Sequence, residues 1–245
     1  MAIFSQPVEA VADINIFARM NGTRQILVIA LRMTSSIDTS LIVPLPIARD
    51  AGDSPVKFID FSENTAYFAA LRRGFANAAR SRERRGGDDE AGAPTMRYMS
   101  SGPYAEHFIS DINDFKSLDL SAQFPPELSG TFSPYLKHGF AVFQLRAGRN
   151  VRVKPMALEF ETRHPDKLYF PTYEFSDGIT RANYRFDTVL FCQNAERAGW
   201  DETRGTADSY MQMEDLQGIL RPERLVQRFA MNGELPNEDS YQSID

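Results

Sequence analysis

The stretch VADINIFARMNGTRQILVIALRM, residues 11–33, restricts the fold more than any other part of the chain. Two apolar runs flank Asn21-Gly22, a dipeptide that favours the two-residue type I′ turn of a β-hairpin. In the second run Leu27, Ile29 and Leu31 point one way, and Ile26, Val28 and Ala30 the other. A strand apolar on both faces has to lie in the middle of a sheet that is covered on both sides. SLIVPLPIARD follows, where Pro44 and Pro46 each remove a ladder donor, so a strand is expected that ends in an extended edge segment.

Downstream, DFSENTAYFAALRRGFANAAR reads as a helix, with Ser62 as N-cap, Glu63 in the first turn, and an apolar stripe of Tyr67, Phe68, Leu71 and Phe75. Arg80 to Pro94 has a basic block, two glycines and an acidic block without an apolar anchor, and reads as a mobile, solvated loop. GFAVFQLRAGRNVRVKPMALEFETR is expected to form a second hairpin turning near Gly148 to Asn150. Its apolar phase switches from Val151 and Val153 to Met156, Leu158 and Phe160, with Pro155 at the switch, which predicts a bulge. Two further strands fall in KLYFPTYEF and ANYRFDTVLFCQ, and RPERLVQRFAM reads as a second helix stopped by Asn232-Gly233.

These elements predict an α+β fold that is β-dominated, with mostly antiparallel, sandwich-like sheets and two packed helices. The predicted organisation is a single β-rich domain over residues 1–231, interrupted by the loop at 80–94. An acidic, disordered tail is expected over 232–245, which carries four acidic side chains and no basic one.

Hairpin, Val43-Pro44-Leu45-Pro46 and Phe-rich helix, in that order, resemble uncharacterised bacterial domain families in which an early hairpin runs into a V-L-P-x-P segment. His164 to Gly178, HPDKLYFPTYEFSDG, has a similar family-like character. The resemblance covers about the first sixty residues and the stretch from Gly139 to Gln193. It implies a bacterial or phage source and no assigned activity, and it transfers no catalytic residue.

Composition narrows the function classes. A single cysteine excludes an internal disulfide, no apolar run reaches the roughly 20 residues of a membrane helix, and the start lacks the basic and apolar regions of a signal peptide, so a cytoplasmic protein is expected. The net charge of −6 argues against nucleic-acid binding. Cys192 shares a strand face with Tyr184, Phe186, Thr188 and Leu190, which makes it a core residue rather than a nucleophile. None of the three histidines has helical metal-motif spacing, and phosphate-loop, dinucleotide and nucleophile-elbow motifs are absent.

The candidate binding residues are His107, Asp111, Arg163, His164, Arg185 and Asp187. His107 and Asp111 share one face of a short strand, Arg163 and His164 would rim the sheet, and Arg185 and Asp187 share the polar face of the Cys192 strand. His138 would cap a helical turn as a cation. Two functions stay open. One is a non-catalytic binding or assembly protein, with a protein partner or self-association, no cofactor and no metal, whose edge strands beside VPLP could recruit a partner by strand addition. The alternative is a metal-dependent, hydrolase-like enzyme using His107, Asp111 and His164.

Overall fold

The computed structural model describes residues 2–52, 54–75, 98–99, 106–112, 115, 135–193 and 199–244. The loop expected at 80–94 lies outside the described residues. Among the described residues, sixteen strands run in the order β1 (Ala2–Phe4), β2 (Ala10–Asn21), β3 (Arg24–Ser35), β4 (Thr39–Leu45), β5 (Val56–Ile59), then, after helix α1 (Tyr67–Arg73), β6 (Tyr98–Met99), β7 (His107–Ile109), β8 (Gly139–Leu145), β9 (Gly148–Val153), β10 (Met156–Glu161), β11 (Lys167–Phe170), β12 (Glu174–Phe175), β13 (Asn183–Cys192), β14 (Asp201–Glu202), β15 (Gln227–Pro236) and β16 (Ser240–Ser243). One sheet has the order β12-β1-β4-β8-β7. The larger has β14-β15-β13-β2-β3-β10-β5, with β9 and β6 continuing beside β3, and β11 pairs with β16. Most pairs are antiparallel; β1·β12, β2·β13 and β6·β9 are parallel.

The double-faced strand explains the layering. Leu27, Ile29 and Leu31 of β3 enter a core shared with Leu41, Val43, Phe140 and Val142 of the smaller sheet. Ile26 and Val28, on the opposite face, enter a second core with Tyr67, Phe68 and Leu71 of α1 and with Leu216, Ile219 and Leu220. The larger sheet is therefore covered on both faces, by the other sheet and by a layer of α1 and the 203–226 segment. Cys192, fully buried in the inter-sheet core, lies 3.8 Å from Gln227 Oε1. A thiol held in that setting lacks the electropositive, accessible environment of a reactive one.

Several local expectations change. The hairpin turns on Gly22-Thr23, since Asn21 pairs with Arg24; only Gly22 has positive φ (65°), so the turn is of the II′ kind that wants Gly first. Ser62 does not cap α1: its hydroxyl donates to Asp60 Oδ1 at 3.0 Å, and the helix starts five residues later. The phase switch at Pro155 is real, because β9 and β10 both lie along β3 with one extra residue between them. β8 and β9 do not form a hairpin; they belong to different sheets. Pro44 is not on an open edge. It pairs with Phe140 of β8 in a strand that lies between β1 and β8, and its carbonyl accepts from the Tyr169 hydroxyl at 3.0 Å.

Two larger corrections concern the C-terminal part. The helix expected over 221–231 does not form: residues 227–236 are β15, because ten residues pair in register with β13 and this long-range pairing outweighs a weak local helix preference. Where a disordered tail was expected over 232–245, the described residues 232–244 carry strands: β15 runs to Pro236 and β16 pairs with β11. Among the described residues α1 is the one α-helix, and none is long and apolar enough to cross a membrane.

Candidate binding cleft

Where β4 leaves the smaller sheet, the chain meets the end of β10. Ile47 bridges to Thr162, the Arg163 N–H donates to the Pro46 carbonyl at 2.7 Å, and Arg163 Nε donates to the Ile47 carbonyl at 3.2 Å. Arg163 Nη2 also donates to the Lys137 carbonyl. One side chain thus clamps three segments at the wall of an open cleft of about 890 Å³. Arg49, Lys137, His138 and Arg163 line it together with Phe108 and Pro55. Three arginine or lysine side chains and no acidic one line it among the described residues, so the cleft favours a carboxylate or phosphate beside an apolar group.

Behind this wall lies a polar aromatic cluster. Asp239, just ahead of β16, accepts from the Tyr173 N–H at 2.9 Å and lies 2.8 Å from the Tyr169 hydroxyl. Tyr169 has one hydroxyl proton and two acceptors, Asp239 and the Pro44 carbonyl, so it serves one at a time unless Asp239 is protonated. Burial pushes the Asp239 carboxyl above its ordinary range, although hydrogen bonds from Tyr173, Tyr169 and Tyr135 oppose the shift. The protonated form lets Asp239 donate to Tyr169 while Tyr169 donates to Pro44, which satisfies every group. The Tyr241 ring lies 5.2 Å from Tyr169, tilted to it, and edge-on to the His164 ring at 5.4 Å, and burial pushes its hydroxyl up to about 12.

The histidines at this cleft are not cations. Burial, then Arg163 and His164, brings His138 down to about 4, so it is neutral at pH 7 and its expected role as a cationic cap fails. Its Nδ1 is buried with no hydrogen-bond partner, and its ring stands perpendicular to Tyr135 at 5.3 Å. His164 is also lowered, by burial first and then by Arg163.

The six sequence candidates fall in three places. Arg163 and His164 are at the cleft and its aromatic backing. Phe108 and Ser110 face the cleft from β7, so strand alternation turns His107 away from it, and Asp111 lies exposed in the bend that follows. Arg185 and Asp187 are on the exposed face of β13, Arg185 opposite Glu234. Glu159 and Glu161 of β10 share no surface with Arg185 and Asp187, since β2 and β3 separate β10 from β13. Glu159 instead pairs with Arg24 at 3.5 Å. Among the described residues no group of three His, Cys, Asp or Glu side chains is placed to hold a metal ion.

Glu106, just before β7, gives a pH prediction. Burial first, then the Asp60 charge, raises its carboxyl to about 7 from an ordinary 4.5. The folded state holds this proton more tightly than the unfolded chain, so stability falls as pH rises from about 4.5 through about 7. Glu106→Gln is expected to remove that decline, measured as urea midpoints below and above this window; an unchanged slope refutes the assignment.

No family model matches this sequence, and no curated protein does. Among solved structures, the crystal structure of baculovirus P35 aligns with a TM-score of 0.51 and 10% identity, over 96% of this chain and 96% of that one. The fold is similar to that of baculovirus P35. A mutated baculovirus P35 after caspase cleavage gives 0.47 at 9% identity over 95% of this chain and 99% of that one. The caspase-8/P35 complex gives 0.47 at 8% identity over 95% and 96%. The likeness to P35 covers nearly all of this chain and so is not confined to one motif.

Proposed function

We propose that this chain acts by binding another protein rather than by catalysis, with the two-sheet body as a rigid scaffold. The observation that carries this reading is the end-to-end likeness to P35. P35 itself has been solved in complex with caspase-8 and, as a mutant, after caspase cleavage. A caspase is therefore the first partner to test. On this chain the cationic cleft of Arg49, Lys137 and Arg163 is the surface suited to a carboxylate-bearing segment of the partner.

The test mixes the full chain with active caspase-8 and follows peptide hydrolysis, complex mass by size-exclusion light scattering, and any fragments by mass spectrometry. The expected result is a stoichiometric complex and loss of protease activity. Arg49→Glu with Lys137→Glu, both exposed residues, is expected to weaken the complex about tenfold without lowering the thermal midpoint. No complex and full protease activity removes the caspase from this reading. A complex indifferent to the charge reversal moves the contact away from the cleft.

A further inference from the structure

A second, smaller cavity opens on the other side of the larger sheet, between α1, β2 and β9. Its volume is about 170 Å³, and its walls carry Arg32, Arg72, Arg152, Asp13, Asn15 and Thr65 over an apolar floor that includes Phe68. The placement of charge there is unfavourable for an empty fold. Arg32 of β3 and Arg152 of β9 are direct cross-strand partners, which puts two guanidinium groups side by side on one sheet face. Like charges directly opposite each other destabilise a sheet. Arg72, in the last turn of α1, brings a third cation to the same cavity.

The acidic side chain present does not neutralise this set. Asp13 is ion-paired to Arg32. It sits at an irregularity in β2 with φ of 50°, a left-handed conformation that costs a non-glycine residue energy. Its carbonyl accepts from Asn15 Nδ2 at 2.6 Å, and Asn15 Oδ1 accepts from Arg72 Nη2 at 2.6 Å. Asn15 is only 5% exposed, so Arg72 is held by a buried neutral amide rather than by a carboxylate. Arg152 forms no ion pair among the described residues. Burial, the foremost cause, together with Arg152 and Arg228, disfavours the charge on Arg72, while Asp13 and Asp187 support it. The larger sheet thus keeps a strained bulge, a buried amide and an in-register arginine pair around one small space.

We propose that this cavity binds a phosphate-type oxyanion through the guanidinium groups of Arg32, Arg72 and Arg152. Guanidinium forks match the oxygens of such an anion, and a dianion removes the repulsion between Arg32 and Arg152. The cavity has room for the anionic group and little more, so the ligand is the free ion or the phosphoryl end of a small monoester. This site is separate from the cleft proposed for the protein partner, and its test requires no partner.

The experiment is a titration of the full chain with inorganic phosphate, followed by 31P line broadening and by the thermal midpoint, against sodium chloride at matched ionic strength. Saturable broadening and a midpoint raised by phosphate over chloride are expected. Arg152→Gln is expected to weaken phosphate binding about tenfold, as the loss of one charge-assisted contact, while leaving the phosphate-free midpoint unchanged or higher. Phosphate acting no differently from chloride overturns the proposal, as does an Arg152→Gln chain that binds phosphate like the unaltered one. Should that variant fail to fold, the 31P titration of the unaltered chain still decides. Glycerol phosphate, titrated in parallel, separates the sources: binding equal to inorganic phosphate assigns a monoester, and binding of inorganic phosphate alone assigns the free ion.

Discussion

Cutting the chain after Pro236 is expected to lower the thermal midpoint by about 10 °C, although the nine residues removed look like a dispensable polar end. Asn237 is buried and ties β12 to the segment ahead of β13: its Oδ1 accepts from the Glu174 N–H at 2.7 Å, and its Nδ2 donates to the Glu174 carbonyl at 2.9 Å and the Arg181 carbonyl at 3.2 Å. The Glu238 carbonyl accepts from the Thr172 hydroxyl at 2.7 Å, and Asp239 accepts from the Tyr173 N–H. Beyond these, β16 supplies the pairing partner of β11 from Lys167 to Phe170. Removal strands the Glu174 amide and carbonyl in a buried position and opens Leu168, Tyr169 and Phe170 to water. Each stranded buried group costs about 1–3 kcal/mol, so a total of roughly 3–5 kcal/mol is expected. Differential scanning calorimetry of the shortened chain decides. An unchanged midpoint would mean that residues 237–245 do not stabilise the body, and the Asp239 cluster behind the cleft would lose its structural role.

That segment also shows where sequence reading stops. Asn237, Glu238 and Asp239 follow a proline and lack hydrophobic neighbours, so composition alone assigns them to solvent. Their role comes from partners about 60 residues away in sequence, Tyr173 and Glu174, which no local pattern names. The double-faced β3 was legible because burial on both sides leaves a continuous apolar run, and Cys192 because its strand alternates cleanly. The bulge at Pro155 was legible for the same reason, as a change of parity. The helix expected at 221–231 was not, since Leu225 and Val226 fit either period and ten pairs with β13 decide the matter. At the cleft, Arg163 could be singled out beside His164-Pro165, whereas Arg49 and Lys137 are ordinary loop cations until the chain ends of β4 and β10 bring them together. The excess of 22 arginines over 5 lysines fits anion recognition and fits the codon composition of a source genome equally well, and it gives no position.

Arg19→Ala is expected to cost about 3–5 kcal/mol and to loosen one layer of the molecule selectively. Arg19 is 4% exposed on β2 and has no carboxylate bound to it among the described residues. It donates from Nε to the Ile219 carbonyl at 2.8 Å, from Nη2 to the Gly218 carbonyl at 2.5 Å and from Nη1 to the Met20 carbonyl at 3.1 Å. Those carbonyls can face it because Gln217 and Gly218 are both left-handed, with φ of 48° and 73°, which turns the chain sharply ahead of Ile219. Burial, and then Arg221, lowers the Arg19 pKa, yet a guanidinium keeps its charge at neutral pH, so the anchor works through charge-assisted bonds at every physiological pH. Truncation to alanine takes the donor from three carbonyls, two of them at Gly218 and Ile219, next to Leu220, and Ile219 and Leu220 are in the core that α1 shares. Hydrogen exchange should therefore rise over residues 203–226 before it rises in β3 or β13. Arg19→Lys supplies one rotatable ammonium where a planar fork made three bonds, and an intermediate loss is expected. If exchange instead rises evenly across both sheets, the 203–226 layer is not a separately anchored unit and folds as one with the sheet it covers.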